Sequence, residues 1–341
     1  MEKRVLGKTG LVVSLVGFGG IPIQRCSQWE VDDIVEALIE EEINFIDTAR
    51  AYTTSEEMLG ESLKKWGRDH FYLATKTPKL DYDGVMADVK LSLSCLQTDY
   101  IELYQFHNAK TMEAYETIMG PGGGYEALKK CQQEGLIGHI GITSHSFEVL
   151  DRALAEGHFE TIQFPYNYVE NKGAALFEKA KELNIGVIVM KPLAGGAFIN
   201  ASYSLRWVAE NQDISIMIPG MDSVKQVTKN ARVGRDFKPL TQEERKIFEK
   251  DAKELGEGFC RRCGYCAPCP QGIDIPMQFI VEGYYRRYNL EEWALDRYQS
   301  FTANASDCIE CGACEPRCPY HLPIREMLKK TRSLFDPLME E

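Results

Sequence analysis

Residues 136–157 read LIGHIGITSHSFEVLDRALAEG. Leu136 to Ile142 is a short apolar run. From Ser146 to Gly157 apolar residues recur at three- and four-residue steps, as on an amphipathic helix. A buried strand followed by such a helix is one βα unit, and the pair repeats on both sides. Candidate strands are LVGF (15–18), INFI (43–46), FYLAT (71–75), YIELYQF (100–106), LIGHIGI (136–142), TIQF (161–164), IGVIVM (185–190) and ISIMI (214–218). Between them, WEVDDIVEALIEEE, DGVMADVKLSLSCL and GAALFEKAKELN carry the helical period. Repetition of this kind implies parallel strands joined by right-handed crossovers. Eight units in about 230 residues fit a closed (β/α)8 TIM barrel better than an open doubly wound sheet. An open sheet usually has fewer strands and a G-x-G-x-x-G first turn, a spacing that GFGGIP lacks.

Before the barrel, KRVLGKTGLVVS reads as a β-hairpin able to plug its N-terminal mouth. After it, TQEERKIFEKDAKEL (241–255) reads as a last helix opened by a threonine cap. The expected domains are 1–255, the barrel, and 256–341, a small tail rich in Cys, Pro and aromatics in which EEWALDRYQSFTANA reads as helix. The chain has 341 residues, 44% hydrophobic and 26% charged, with a net charge of −12. That charge argues against general binding to nucleic acid or an anionic membrane, both of which it would repel. The N-terminus is too broken by charge and glycine for a secretory segment, and no run of about 18 apolar residues spans a membrane. A cytoplasmic location is the expectation.

Eleven cysteines then have to persist in a reducing compartment, where clustered thiolates hold metal more often than disulfides. Cys26, Cys95 and Cys131 are scattered and read as small buried or half-buried side chains. The other eight crowd into two rows. FCRRCGYCAPCPQG (259–272) carries Cys260, Cys263, Cys266 and Cys269, and DCIECGACEPRCPYHLP (307–323) carries Cys308, Cys311, Cys314 and Cys318 before Pro319. The second row has the ferredoxin spacing C-x2-C-x2-C-x3-C-P, and the first is one residue shorter. Tetrahedral zinc is the alternative, but it typically takes two separated pairs of cysteines. Two rows each ending in Cys-Pro favour two [4Fe–4S] clusters in a ferredoxin-like, mostly helical domain. In two-cluster ferredoxins the fourth cysteine of each row serves the other cluster. One cluster would then take Cys260, Cys263, Cys266 and Cys318, and the other Cys308, Cys311, Cys314 and Cys269.

Chemistry in a TIM barrel sits at the C-terminal ends of its strands. Asp47 and Tyr52 follow INFI, Lys76 follows FYLAT, and His107 follows YIELYQF. Together they suit carbonyl reduction. The phenol gives a proton to the developing alkoxide, an ammonium held by the aspartate lowers the phenol's pKa, and the imidazole orients the carbonyl oxygen. Among other features, GPGGGYEAL (120–128) lacks the lysine of a phosphate-binding loop and reads as a loop ending at a helix start. His139 reads as structural, and His145 stands where it could touch a cofactor. YYRRYN (284–289) and Arg261–Arg262 are either a docking patch for an acidic electron carrier or a solvated face.

Through FIDTARAY, ATKT, QFHN, HIGITSHS, IQFPYNY and PGMDSVKQVTKN, residues 1–235 resemble the aldo-keto reductase superfamily. With the two cysteine rows, the whole chain is similar to its iron–sulfur branch. The resemblance implies that Asp47, Tyr52, Lys76 and His107 are the catalytic tetrad, with Tyr52 as general acid acting on a small carbonyl or alcohol. It places Ser144 and Gln163 at the nicotinamide carboxamide, Gln226 and Asn230 at the adenine side, and Lys191, Gly220 and Asp222 also against NAD(P)(H). Two positions depart from the family pattern. Asp222 and Ser223 stand where a Ser and an Arg commonly meet the NADP 2′-phosphate, and Met190 replaces the aromatic ring that stacks on nicotinamide. A carboxylate at Asp222 would repel that phosphate, which sets it against NADP. Clusters move one electron at a time whereas nicotinamide moves a hydride, so a ferredoxin or flavoprotein electron partner is a further expectation. The competing reading is a non-enzymatic electron-transfer or redox-sensing protein with the barrel as scaffold.

Overall fold

Eight parallel strands run in sequence order around one sheet: β3 (Phe18–Gly19), β4 (Phe45–Asp47), β5 (Tyr72–Thr77), β6 (Ile101–Phe106), β7 (Ile137–Thr143), β8 (Thr161–Pro165), β9 (Gly186–Met190) and β10 (Ile216–Met217). They are preceded by an antiparallel hairpin, β1 (Lys3–Val5) and β2 (Val12–Ser14). In this computed structural model the described residues are 1–198, 200–255, 259–261, 264, 266–288, 291–318 and 320–339. Arg262, Cys263, Asn289 and Pro319 lie outside them. The chain divides into two compact units, Met1–Ala194 with Asn200–Phe248, and Gly195–Ile199 with Glu249–Glu341.

Parallel bridges Val16↔Met217 and Gly19↔Gly220 join the two ends of the sheet and close the barrel. At this seam the Gly17 N–H donates to the Met217 carbonyl at 2.8 Å and the Gly19 N–H to the Pro219 carbonyl at 3.0 Å. Glycine is required here by close approach, since a Cβ on Gly19 would lie 2.8 Å from the Ile218 carbonyl oxygen. The opening stretch 136–157 explains its own boundaries. Ser146 Oγ accepts from the Val149 N–H at 3.3 Å to cap the helix Phe147–Glu156, and Gly157, at φ 71°, ends it in the left-handed conformation.

Both faces of the eight barrel strands are largely buried. Outward residues pack against the helices, while Phe45, Ala74, Leu103, Ile188 and Ile216 meet inside the barrel with Leu6 and Val13 of the hairpin region. The hairpin thus supplies the apolar floor, as its sequence suggested. Thr241 caps the helix Gln242–Leu255 reciprocally with Glu244, through bonds of 3.2 and 2.9 Å.

The second unit is helical. Helices Ile275–Tyr288, Glu291–Gln299 and Ile324–Met339 enclose a core in which Tyr298 stacks on Phe335, ring centroids 4.3 Å apart. The helix expected over 291–305 stops at Gln299. Asn304 and Asp307 form their own capping box, with the Asn304 N–H donating to Asp307 Oδ2 at 2.8 Å, and start a separate turn Ala305–Asp307. Among the described residues no helix is long and apolar enough to cross a membrane.

Candidate active site

Strand alternation places a polar layer directly above the apolar floor. Two residues beyond Phe45, Ala74 and Leu103 come Asp47, Lys76 and Gln105, which therefore share the inward face. Lys76 stands opposite Gln105 in the ladder. Asp47 is 2% exposed and Lys76 1%. Lys76 Nζ donates to Asp47 Oδ1 at 2.5 Å and to the Thr48 carbonyl at 2.7 Å, and Gln105 Nε2 donates to Asp47 Oδ2 at 3.3 Å. Burial pushes the Asp47 carboxyl up and the Lys76 ammonium down, and each is partly countered by the other's charge.

Tyr52 and His107 complete the mouth from the loops after β4 and β6. Their rings meet edge to face with centroids 5.5 Å apart, and Lys76 Nζ lies over the Tyr52 ring, 5.4 Å from its centroid. Three loops after barrel strands hold non-glycine residues at positive φ, Thr53 at 36°, Asn108 at 56° and Lys191 at 54°. Such conformations cost about 1–3 kcal/mol each and gather at functional sites.

The Tyr52 phenol departs from expectation. Burial, and then the negative charge of Asp47, push it far above its ordinary value, so the lowering by Lys76 that the sequence suggested is not found. The reason is geometric: Lys76 Nζ is hydrogen-bonded to Asp47 and Thr48 beneath the ring. Tyr52 is therefore a firmly protonated donor at neutral pH. Burial, followed by the charges of Lys76 and Lys110, pulls His107 down to about 3 and keeps its imidazole neutral. Burial, then Lys191, His107 and Lys110, holds His145 well below its ordinary value.

On the cofactor side, Gln163 on β8 is 2% exposed and also hydrogen-bonds Asp47. Fully buried Ser144 donates from Oγ to the Ala109 carbonyl at 2.6 Å and accepts from the Ser146 N–H at 2.9 Å. The Lys191 carbonyl accepts from Asn167 Nδ2 at 3.1 Å. A Cβ on Gly220 would come within 2.8 Å of Pro22 Cγ. Asn230 is buried on the helix Val224–Arg235, and Gln226 Oε1 accepts from the Asp222 N–H at 2.8 Å.

Asp222 has a partner that the sequence reading did not include. It is not a lone carboxylate, because Arg25 Nε donates to Asp222 Oδ2 at 2.8 Å and Nη2 pairs with the same oxygen. A phosphate there would meet a guanidinium as well as a carboxylate. Four buried polar atoms around the mouth lack a hydrogen-bond partner among the described residues: Gln105 Oε1, Asn108 Oδ1, His145 Nδ1 and Gln163 Oε1. Buried groups of this kind are costly unless a ligand satisfies them, so the residues present fit an amide-bearing cofactor and a polar substrate.

Sequence reasoning passed over Gln105, Asn167 and Arg25. Gln105 was accessible by alternation, two residues before His107. Arg25 lies 197 residues from its partner, and no local pattern marks it. His139 is structural, its Nδ1 2.7 Å from Glu160 Oε2.

In the second unit a cavity brings Cys269 together with Cys308, Cys311 and Cys314, walled by Ile275 and Leu328. Cys266 and Cys318 sit in the apolar core, 8% and 6% exposed, with Cys260, Cys269, Cys308 and Cys314 packed against it. Arg317 Nη1 reaches from the second row to the Pro268 carbonyl in the first, at 2.9 Å. Cys269, Cys308, Cys311 and Cys314 line one small pocket, and cysteine thiolates are the donor type of an iron–sulfur cluster. Among the described residues no three His, Cys, Asp or Glu side chains gather as a site for a single ion. Cys26 and Cys95 are half-buried and Cys131 is buried.

A family model described as the Aldo/keto reductase family matches residues 15–204, and one described as a 4Fe-4S dicluster domain matches residues 259–323. The chain is similar to aldo-keto reductase YhdN of Bacillus subtilis, 32% identical over 216 residues, which are 58% of this chain and 63% of that protein. It thus spans less than two thirds of that relative. Similarity to L-galactose dehydrogenase of Arabidopsis thaliana is 28% over 303 residues, 74% of this chain and 94% of that one. The solved structure of aldo-keto reductase AKR11C1 from Bacillus halodurans, in its holo form, superposes with a TM-score of 0.64 at 27% identity, covering 74% and 96% of the two chains.

Proposed function

The chain belongs to the aldo/keto reductase family of oxidoreductases, and on that premise we propose that the barrel mouth reduces a small carbonyl compound, or oxidises the corresponding alcohol, with Tyr52 as general acid. The observation that carries this reading is the Tyr52 phenol set edge to face against the His107 imidazole, with the buried Asp47–Lys76 pair beside the Tyr52 ring. A carbonyl oxygen between the two rings would accept hydrogen bonds from the Tyr52 hydroxyl and the His107 N–H. As negative charge builds on that oxygen, Tyr52 passes its proton across.

NAD(P)H, when bound, supplies a hydride. Gln163 Oε1 would accept from its carboxamide, Ser144 would line the same end, and Asn230 with the Arg25–Asp222 pair would meet the adenosine half. Cys269, Cys308, Cys311 and Cys314 would hold one [4Fe–4S] cluster, and Cys260, Cys263, Cys266 and Cys318 a second. These clusters, when bound, carry single electrons to or from a ferredoxin or flavoprotein partner. Thiols and clusters of this kind favour a reducing compartment, and we assign the protein to the cytoplasm.

The test is turnover of the anaerobically purified, iron-loaded full chain with a panel of aldehydes and ketones and NADH, NADPH or reduced ferredoxin as donor. Reduction that is lost in Tyr52→Phe supports the proposal. No turnover with any donor overturns it and leaves the scaffold reading.

A further inference from the structure

The loop carrying Cys311 and Cys314 turns at Gly312, at φ 74°, and the Arg325 guanidinium covers that turn. A Cβ on Gly312 would meet Arg325 Cζ at 3.8 Å and both Nε and Nη1 at 3.9 Å. Glu315, one residue past Cys314, holds the arginine in place. Arg325 Nη2 donates to Glu315 Oε2 at 2.7 Å and the Arg325 N–H to Oε1 at 3.1 Å. Arg325 is the second residue of the helix Ile324–Met339 and lines the thiol cavity together with Leu328, so the positive end of a 16-residue helix lies at the same wall. Lys329, one turn on, is taken up by Glu310 at 3.0 Å and Glu326 at 3.3 Å. Cys311 is exposed and neighbouring Ile309 is 62% exposed, whereas Cys266 and Cys318 are buried.

We infer that Arg325 sets the reduction potential of the cluster held by Cys269, Cys308, Cys311 and Cys314, with Glu315 opposing it. The inference rests on the two-cluster reading above. Reduction adds one electron to the cluster and makes or breaks no bond, so the reduced form is one charge more negative. A guanidinium against the ligand loop stabilises that form and raises the potential, and a carboxylate does the reverse. Arg325 acts on the cluster through its field and through the loop it covers.

The experiment compares the wild-type full chain with R325Q, R325K and E315Q, each purified anaerobically and assayed for iron and acid-labile sulfide. Each is then titrated with dithionite and redox mediators while EPR signals are followed. C311S identifies the signal of the cluster concerned. Its midpoint should fall in R325Q and rise in E315Q by about a tenfold change in the reduction equilibrium, which is about 59 mV. R325K should stay near wild type, and the second signal should not move. If R325Q loses its cluster, the upward shift in E315Q decides the matter. Unmoved potentials, or two signals shifting together, overturn the inference. Wild-type protein with iron and sulfide but no pair of [4Fe–4S] signals overturns the two-cluster reading itself and the inference with it.

Discussion

Replacing Lys76 with methionine removes a cation while keeping a long apolar stem, and its cost can be worked out from the site. Asp47 is 2% exposed and would retain the Gln105 amide at 3.3 Å, with Gln163 as a further partner. Amide donors alone do not hold an ionised carboxylate in a buried site, so burial drives Asp47 to bind a proton. In the unfolded chain the same carboxyl titrates at about 3.9. The folded variant thus keeps a proton that the unfolded chain releases, and its stability falls as pH rises above that value. Each pH unit costs about 1.36 kcal/mol, giving about 4 kcal/mol at pH 7 and about 1.5 kcal/mol at pH 5. The larger figure agrees with the roughly 3–5 kcal/mol typical of breaking a buried ion pair. Urea unfolding of wild type and K76M at pH 5, 6, 7 and 8, followed by near-ultraviolet circular dichroism, reads both the size and the slope. In the double variant D47N/K76M most of the loss should return and the slope should vanish. A loss independent of pH, or one below about 1 kcal/mol at pH 7, would refute the reasoning.

Three further outcomes are expected. Tyr52→Phe should lower carbonyl turnover by about 10²- to 10⁴-fold, the usual contribution of a positioned proton donor, while a melting curve shows the fold retained. His107 titrates at about 3 in the folded protein and at about 6.5 unfolded, so the unfolded chain binds the extra proton between these values. Wild-type stability should therefore fall on acidification through that window, and His107→Gln should shed up to about 1.36 kcal/mol per pH unit of that loss in unfolding curves at pH 4 to 6. Finally, C269S and C311S should each remove the same EPR signal and about half of the iron, as shared ligation across the two rows requires. Loss of different signals would show that each row serves its own cluster.

Much of the architecture was legible because it is written in short-range patterns. Alternation and the 3.6-residue period expose the βα units, and cysteine spacing separates the tail from the barrel. The helices Ile275–Tyr288 and Ile324–Met339 were not found this way. The second was readable, since Ile324, Leu328, Thr331 and Phe335 recur at helical spacing on one buried face. The four candidate residues were readable near strand ends, although Asp47 and Lys76 lie within β4 and β5, but their electrostatics was not. Whether Lys76 lowers the Tyr52 phenol depends on which atoms its Nζ meets, and those belong to Asp47, the last residue of β4, and to Thr48 just after it.

By itself the sequence determined a (β/α)8 barrel with a thiol-rich appendage and the types of chemistry each carries, because local periodicity and ligand spacing are properties of neighbours along the chain. Tertiary structure alone decided that Arg25 answers Asp222 and that the Thr48 carbonyl also takes up the Lys76 ammonium. Each of these sets the charge state of a site through residues far apart in sequence. Electrostatic energy depends on distance and burial, and folding alone supplies those.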